Sequence, residues 1–360
     1  MSASIHACLA VQAPATPAAS DLHAWLQRSS IYPPEYDDQL SSHLPMALQA
    51  LHSMGADEAQ MQVFFELYIQ RFQGRLAPAQ GRALEDWRLA LGRPECFADL
   101  RASFERQLAT QGLDEVLSQA LPTLLPGLTA VAFHGAIRVA HAVEGGDLSG
   151  AEQRAELASA LAYWASRWQR LPDAVAPARP EPLLSLSDWS QQLQEGSRGW
   201  RSEAPLIFLR MMEASAQPLY WDLAPRLPLR ADLRALVADL ASLALGYYLV
   251  SGNFTVLHMI TGLRALRVLM AWLPSGVQDD PSVQHLLVQA FVAAYMAGRV
   301  QQRPSLESSL SDEELNWPVL IRAALASSDD HAIKLVHACR EEMRVYGDAR
   351  YLRAAALVLA

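Results

Sequence analysis

Cysteine is nearly absent: Cys8, Cys96 and Cys339 are the only three in 360 residues, odd in number and far apart. That argues against a disulfide framework or a cysteine-rich zinc site and fits reduced thiols in a cytoplasm. Clustered positive charge is missing too. The net charge is −9 and no basic cluster exceeds two or three residues. Nucleic acid and an anionic membrane surface therefore find no patch to bind. No Lys or Arg precedes Arg28, so the Ala- and Pro-rich residues 1–20 lack the basic start of a secretory signal and read as a loosely ordered arm. No uninterrupted apolar run reaches bilayer length. The longest, Leu233 to Val250, contains Asp239 and reads as a core helix. β-Branched residues are sparse in most windows, which disfavours sheet.

Helical periodicity is what remains, and it is everywhere. Asp57 to Phe72 places Met61, Phe64, Phe65, Tyr68 and Phe72 close to an i, i+3, i+4, i+7 stripe. Similar stripes run through Phe97–Thr110, Leu113–Leu124, Thr129–Val143, Ala151–Trp168, Trp200–Ala214, Arg230–Val250, Asn253–Trp272, Ser282–Val300, Asp312–Ala326 and Asp330–Tyr346. The expected fold is all-α, a large bundle of roughly a dozen helices. Gly55, Gly112, Gly252 and Gly347 stand where left-handed C-caps belong, and Ser311 before Asp312, Glu313 and Glu314 reads as an N-cap. Residues 171–182, with four prolines, read as a loop between two helical halves. Candidate site residues lie on both sides of it, which favours one domain over residues 21–360. No repeat of fixed period occurs.

Ten histidines are present, and their settings differ. His6, His23, His52 and His285 sit in ordinary contexts. His43 lies at the start of a helix, where Ser41 or Ser42 can cap and Pro45 fits the first turn, on the inward stripe of Met46, Ala47 and Ala50. Helical spacing puts His134, Arg138 and His141 along one face. A basic line bordered by Val131 and Ile137 is costly to bury without a metal, a carboxylate or an anionic substrate. His258 sits in an otherwise apolar helix, with Thr261 and Gly262 leaving room beside its ring. His331 and Lys334 share a face, and His337 lies off it. The bland reading of Lys334 is a side chain that snorkels to solvent.

Imidazole suits Zn, Fe, Cu and Ni. No His-Glu-x-x-His occurs, so a zincin-type protease is excluded. No histidine has Asp or Glu three residues before it, and no His-x-Asp or His-x-Glu occurs. Ferritin-like di-iron pairs and the usual facial triad are thus missing. A histidine-dominated site remains, with no acidic residue at an obvious ligand spacing. A buried neutral Lys334 could react with carbon dioxide, giving a carbamate with carboxylate-like oxygens.

The segments Leu40-Ser41-Ser42-His43-Leu44-Pro45-Met46-Ala47-Leu48, Phe133-His134-Gly135-Ala136-Ile137-Arg138, Phe254-Thr255-Val256-Leu257-His258-Met259-Ile260-Thr261-Gly262 and Asp330-His331-Ala332-Ile333-Lys334, with the tail Tyr346-Gly347-Asp348-Ala349-Arg350-Tyr351-Leu352, resemble the questin oxidase-like family. The resemblance runs from about residue 25 onward. It implies an all-helical oxygenase of secondary metabolism that acts on aromatic or polyketide-like small molecules with O2. It also implies a non-haem Fe(II) site of His43, His134, His258 and His331, with Lys334 as a carboxylated lysine. Arg138 or His141 could then steer a substrate oxygen or act as acid or base. Two departures stand out: Ser42 where many relatives have Asn, and Arg264 where a second histidine often follows the Thr-Gly pair.

Two other readings stay open. One is a Baeyer–Villiger-type monooxygenase that uses NADPH. No Gly-x-Gly-x-x-Gly follows a strand and the run from Gly145 to Gly150 lacks a phosphate-loop Lys, so nicotinamide would serve as a diffusible reductant. The other is a non-catalytic helical scaffold, which requires that the four histidines do not converge.

Overall fold

A computed structural model describes residues 21–78, 80–144, 150–173, 182–301 and 315–360. Seventeen α-helices lie within them. The all-α expectation holds, and the count exceeds a dozen because short helices such as Pro218–Leu223 and Ser275–Gln278 are too brief to show a periodic stripe. One small sheet was not foreseen. Glu35–Tyr36 pairs antiparallel with Leu40–Ser41, each strand only two residues long. The Ser311 N-cap, most of the Gly145–Gly150 run, residues 1–20 and most of residues 171–182 lie outside the described residues.

Local chemistry sets the helix ends. Asp57 and Gln60 form a reciprocal capping box at Glu58–Ile69. Asn253 accepts from the N–H groups of Thr255 and Val256, and Asp329 from those of His331 and Ala332. Gly252 (φ 56°) and Gly347 (φ 67°) close helices in the left-handed conformation, as their positions suggested. Two stripes are helical over less than their periodicity. Trp200–Ala214 is helical only over Ile207–Ala214. Thr129–Val143 becomes helical only at His134, because Val131, Ala132 and Phe133 take φ of 44°, 56° and 69°. Three successive left-handed residues without a glycine cost about 1–2 kcal/mol each. The surrounding packing has to hold them.

Four helices position the histidines singled out by sequence: Leu44–Ser53, His134–Glu144, Phe254–Leu269 and Asp330–Tyr346. Each packs on two of the others in a closed ring, in that order. Buried apolar side chains from Leu22 to Ala356 form one contiguous core around them. Close approach is enforced at Gly262, where a Cβ would stand 2.8 Å from the Phe133 ring. The room beside His258 is therefore filled by the residue before His134. The tryptophans Trp25, Trp164 and Trp189 are core residues, and each indole N–H donates to an oxygen, of Glu58, Gly127 and Leu223 respectively.

Two helical stretches, Leu233–Ser251 and Phe254–Trp272, are long and apolar enough to cross a membrane by length and composition. Both stretches are interrupted by charge, Asp239 in the first and Arg264 and Arg267 in the second, and 50% of the first apolar window is buried inside the molecule. The second stretch carries His258, and 78% of its apolar window is buried inside the molecule.

Candidate metal centre

All four histidines sit at or near the beginning of their helices. His43 is the N-cap of Leu44–Ser53, His134 opens His134–Glu144, His258 is the fifth residue of Phe254–Leu269 and His331 the second of Asp330–Tyr346. The ring of helices brings those starts together. Around the circuit the ring centroids are 4.6 Å apart for His43–His134, 4.9 Å for His134–His258, 5.4 Å for His258–His331 and 4.6 Å for His331–His43. No serine caps the first helix: Ser41 Oγ instead hydrogen-bonds Tyr163 Oη at 2.7 Å.

Hydrogen bonds fix which nitrogen faces the centre. His258 Nδ1–H donates to Phe254 O at 2.8 Å, and His134 Nδ1–H donates to Val131 O. A carbonyl can only accept, so both rings carry their proton on Nδ1 and a lone pair on Nε2. His43 Nδ1–H donates to Asp330 Oδ2. His134 Nε2 is buried with no partner among the described residues. The left-handed turn at Val131–Phe133 thus aims His134, since the carbonyl that holds its ring belongs to that turn.

Burial drives the electrostatics. It pushes the pKa values of His134 and His258 well down, and neighbouring cationic groups add to the effect. His43 falls to about 3, through burial and then Lys334, with Asp330 opposing. Burial brings Lys334 down to about 8, again against the pull of Asp330. The three imidazoles are thereby neutral at pH 7, as metal ligation requires, whereas Lys334 is still mostly protonated there and has a neutral minority.

Asp330 was missing from the sequence-based set. Burial alone would raise its pKa, but the charge and hydrogen bond of His43 hold it well below the usual carboxylate range. Its Oδ1 also accepts from Arg71 Nη1 at 2.8 Å. Ligand atoms of His43, Asp330 and His331 lie within 4.8 Å of one another. A signal was available: Asp330, Lys334 and His337 follow i, i+4, i+7 and are all buried on one face.

Arg138 and His141 do not reach the centre. Arg138 forks onto Glu156 at 2.7 and 2.9 Å and donates to Ser159 Oγ at 3.0 Å, clamping its helix to Ala151–Ser166. That bidentate pair replaces the expected role in steering substrate. His141 packs 5.4 Å from the His337 ring. Neither lines the cavity beside the four histidines, and nor does Lys334, whose charge is nonetheless felt by His43, His134 and His258. Arg264 pairs with Glu144 at 2.6 Å.

That cavity, about 270 Å³, opens beside His43, His134, His258 and His331. Its wall includes Tyr36 and Leu40 of the hairpin, Leu206 and Phe208, and Phe254, whose ring lies 4.7 Å from His258 and 4.6 Å from His331. Among the tyrosines and tryptophans of the described residues, only Tyr36 lines it. A larger cleft of about 590 Å³, near Arg170, Asp173 and His285, holds none of the four histidines.

The donor set fits a metal ion. Four imidazoles converge, outer hydrogen bonds orient three of them, and a buried lone pair on His134 lacks a partner among the described residues. The fit depends on the contact between Gly262 and Phe133. Gly262→Ala is expected to cost about 1–3 kcal/mol through overpacking. It would also displace His134 and weaken metal binding, which thermal melts with and without added metal will show. An unchanged melting temperature would mean Phe133 moves freely.

No curated protein matches the chain. The family model described as questin oxidase-like matches residues 40–339, a span that contains all four histidines and Lys334. With most of its length matched, this chain belongs to the questin oxidase-like family, and is an oxidoreductase of oxidase or oxygenase type that acts on a small molecule.

Proposed function

We propose that the chain is a non-haem Fe(II) oxygenase that uses O2 for oxidative C–C cleavage or oxygen insertion on an aromatic, polyketide-like molecule. The observation that carries this reading is the closed circuit of His43, His134, His258 and His331, with His134 Nε2 buried and unpartnered among the described residues. Ferrous iron held by these imidazoles and Lys334 would supply the electrons that let dioxygen react with a closed-shell organic molecule.

The chain's own residues prepare that chemistry. Val131 O, Phe254 O and the Asp330 carboxylate hold three imidazole Nδ1 protons, which leaves each Nε2 lone pair free. Depressed pKa values keep the rings neutral, so protons do not compete for those lone pairs. Lys334, with a pKa near 8, has an accessible neutral amine. From the ammonium form two protons would leave: one frees the nitrogen lone pair, and the second is released when that lone pair adds to carbon dioxide. A cation that repels the metal then becomes an anion that offsets half its charge. Phe254 and the hairpin residues Tyr36 and Leu40 line the cavity beside the centre.

Metal analysis of anaerobically purified protein tests this. Wild type should hold about one equivalent of iron, and His258→Ala should lose nearly all of it. No metal in either protein after reconstitution would overturn the iron chemistry.

A further inference from the structure

Among the described residues the cavity wall carries one charged side chain beside the neutral imidazoles of His43, His134 and His258, and no carboxylate lines the wall with it. Arg210 lines the same cavity as the four histidines, and among the described residues no Asp or Glu joins it there. Its Nε is buried and makes no hydrogen bond among the described residues. Arg299 repeats the pattern, with a buried Nε that lacks a partner among them. Arg299 follows Pro281–Ala297, which packs against Ile207–Ala214, the helix of Arg210. Burial first, and then the charge of Arg299, lower the Arg210 pKa.

Arg210 lines the cavity and Arg299 does not, so the unfavourable charge at the wall is that of Arg210, with Arg299 adding to it from outside the lining. Each charge is partly withdrawn from water, and each repels the other. An anion between or beside them would relieve both costs, and a planar carboxylate matches the guanidinium fork. The helices add field of the same sign. Four of them begin at or near the histidines, and their positive ends gather at the cavity. Elsewhere the wall is largely apolar, with Leu206, Phe208 and Phe254 offering faces for a ring.

We propose that this cavity selects an ionised aromatic acid, whose carboxylate is held by Arg210 with support from Arg299 and whose ring lies toward the histidines. The inference rests on the oxygenase reading for the fate of that ring. Recognition of the anion itself needs no iron.

The test uses 2-naphthoate and its neutral analogue 2-naphthamide, titrated calorimetrically into the full chain with and without iron. The wild type should bind the acid about tenfold or more tighter than the amide. Arg210→Gln should bind both with the affinity of the amide, and Arg299→Gln should fall between. Equal binding of acid and amide by the wild type would overturn the proposal. So would no binding of the acid, or a preference that survives in Arg210→Gln. The wild-type comparison stands even if a variant fails to fold. A preference for the acid in protein that takes up no iron would keep the anion site and sink the oxygenase reading. Iron uptake with no preference would do the reverse.

Discussion

Metal-free protein is expected to lose on the order of 5 kcal/mol of folding stability between about pH 6.5 and about pH 5.5. Five buried histidines are the cause: His43, His134, His141, His258 and His337. Burial lowers every one of them, His43 to about 3 and the others well below the ordinary 6.5. In the unfolded chain each takes up a proton as the pH falls through about 6.5. In the folded chain none does. The unfolded state then binds more protons, so stability falls with falling pH, at about 1 kcal/mol per histidine over that unit. Two carboxyl groups, the buried Glu342 and the part-buried Glu35, oppose this. The pKa values of Glu35 and Glu342 are raised above 4.5 by burial, so each stabilises the fold as it protonates and offsets part of the histidine loss. Lys334 acts in another window: its pKa drops from 10.5 to about 8, so stability rises as the pH climbs between those values. Urea denaturation of metal-free protein at half-unit steps of pH measures the slope. A flat midpoint from pH 7 to 5.5 would show that these histidines titrate normally and are not buried as described.

The same burial explains how much could be read from sequence. Fold class was legible because apolar stripes repeat at helical period, and glycines such as Gly252 and Gly347 mark where they stop. The two-residue strands were not, since no alternating pattern fits in such a length. The turn at Val131–Phe133 was hidden because apolar residues continue through it, while its left-handed backbone is imposed by packing. His43, His134, His258 and His331 each stand out locally. Their meeting does not follow from spacing, because each comes from a different helix; only resemblance to a family joined them. Arg138 shows the opposite error. It shares a face with His134 by period, but its partner Glu156 comes from the next helix and holds it elsewhere. Asp330 was passed over for a related reason, since its partners His43 and Arg71 are remote in sequence.

Asp330→Asn should lower metal affinity about 10–100-fold, the usual cost of losing a carboxylate behind a ligating histidine. The aspartate receives two donors on opposite oxygens, His43 Nδ1–H and Arg71 Nη1–H. An asparagine of the same shape has only one oxygen. If the amide oxygen serves Arg71, its NH₂ meets a second donor at His43. The imidazole then relieves the conflict by moving its proton to Nε2, the atom required for the metal. If the oxygen serves His43 instead, Arg71 loses its anion. That loss is mild, because the Arg71 side chain is 36% exposed and lies over the Tyr68 ring at 4.4 Å. Arg71→Gln is therefore expected to weaken binding less than Asp330→Asn, since it leaves the carboxylate and the His43 tautomer in place. Protonation of His43 is not the route: Asp330 raises its pKa, so removing the charge makes the ring still less basic. Competition against a chelator with Zn²⁺, which needs no anaerobic handling, measures all three proteins. Wild-type affinity in Asp330→Asn would show that the aspartate merely fills space. A loss far beyond the expected range would place its oxygen on the metal, a geometry its closeness to His43 and His331 permits.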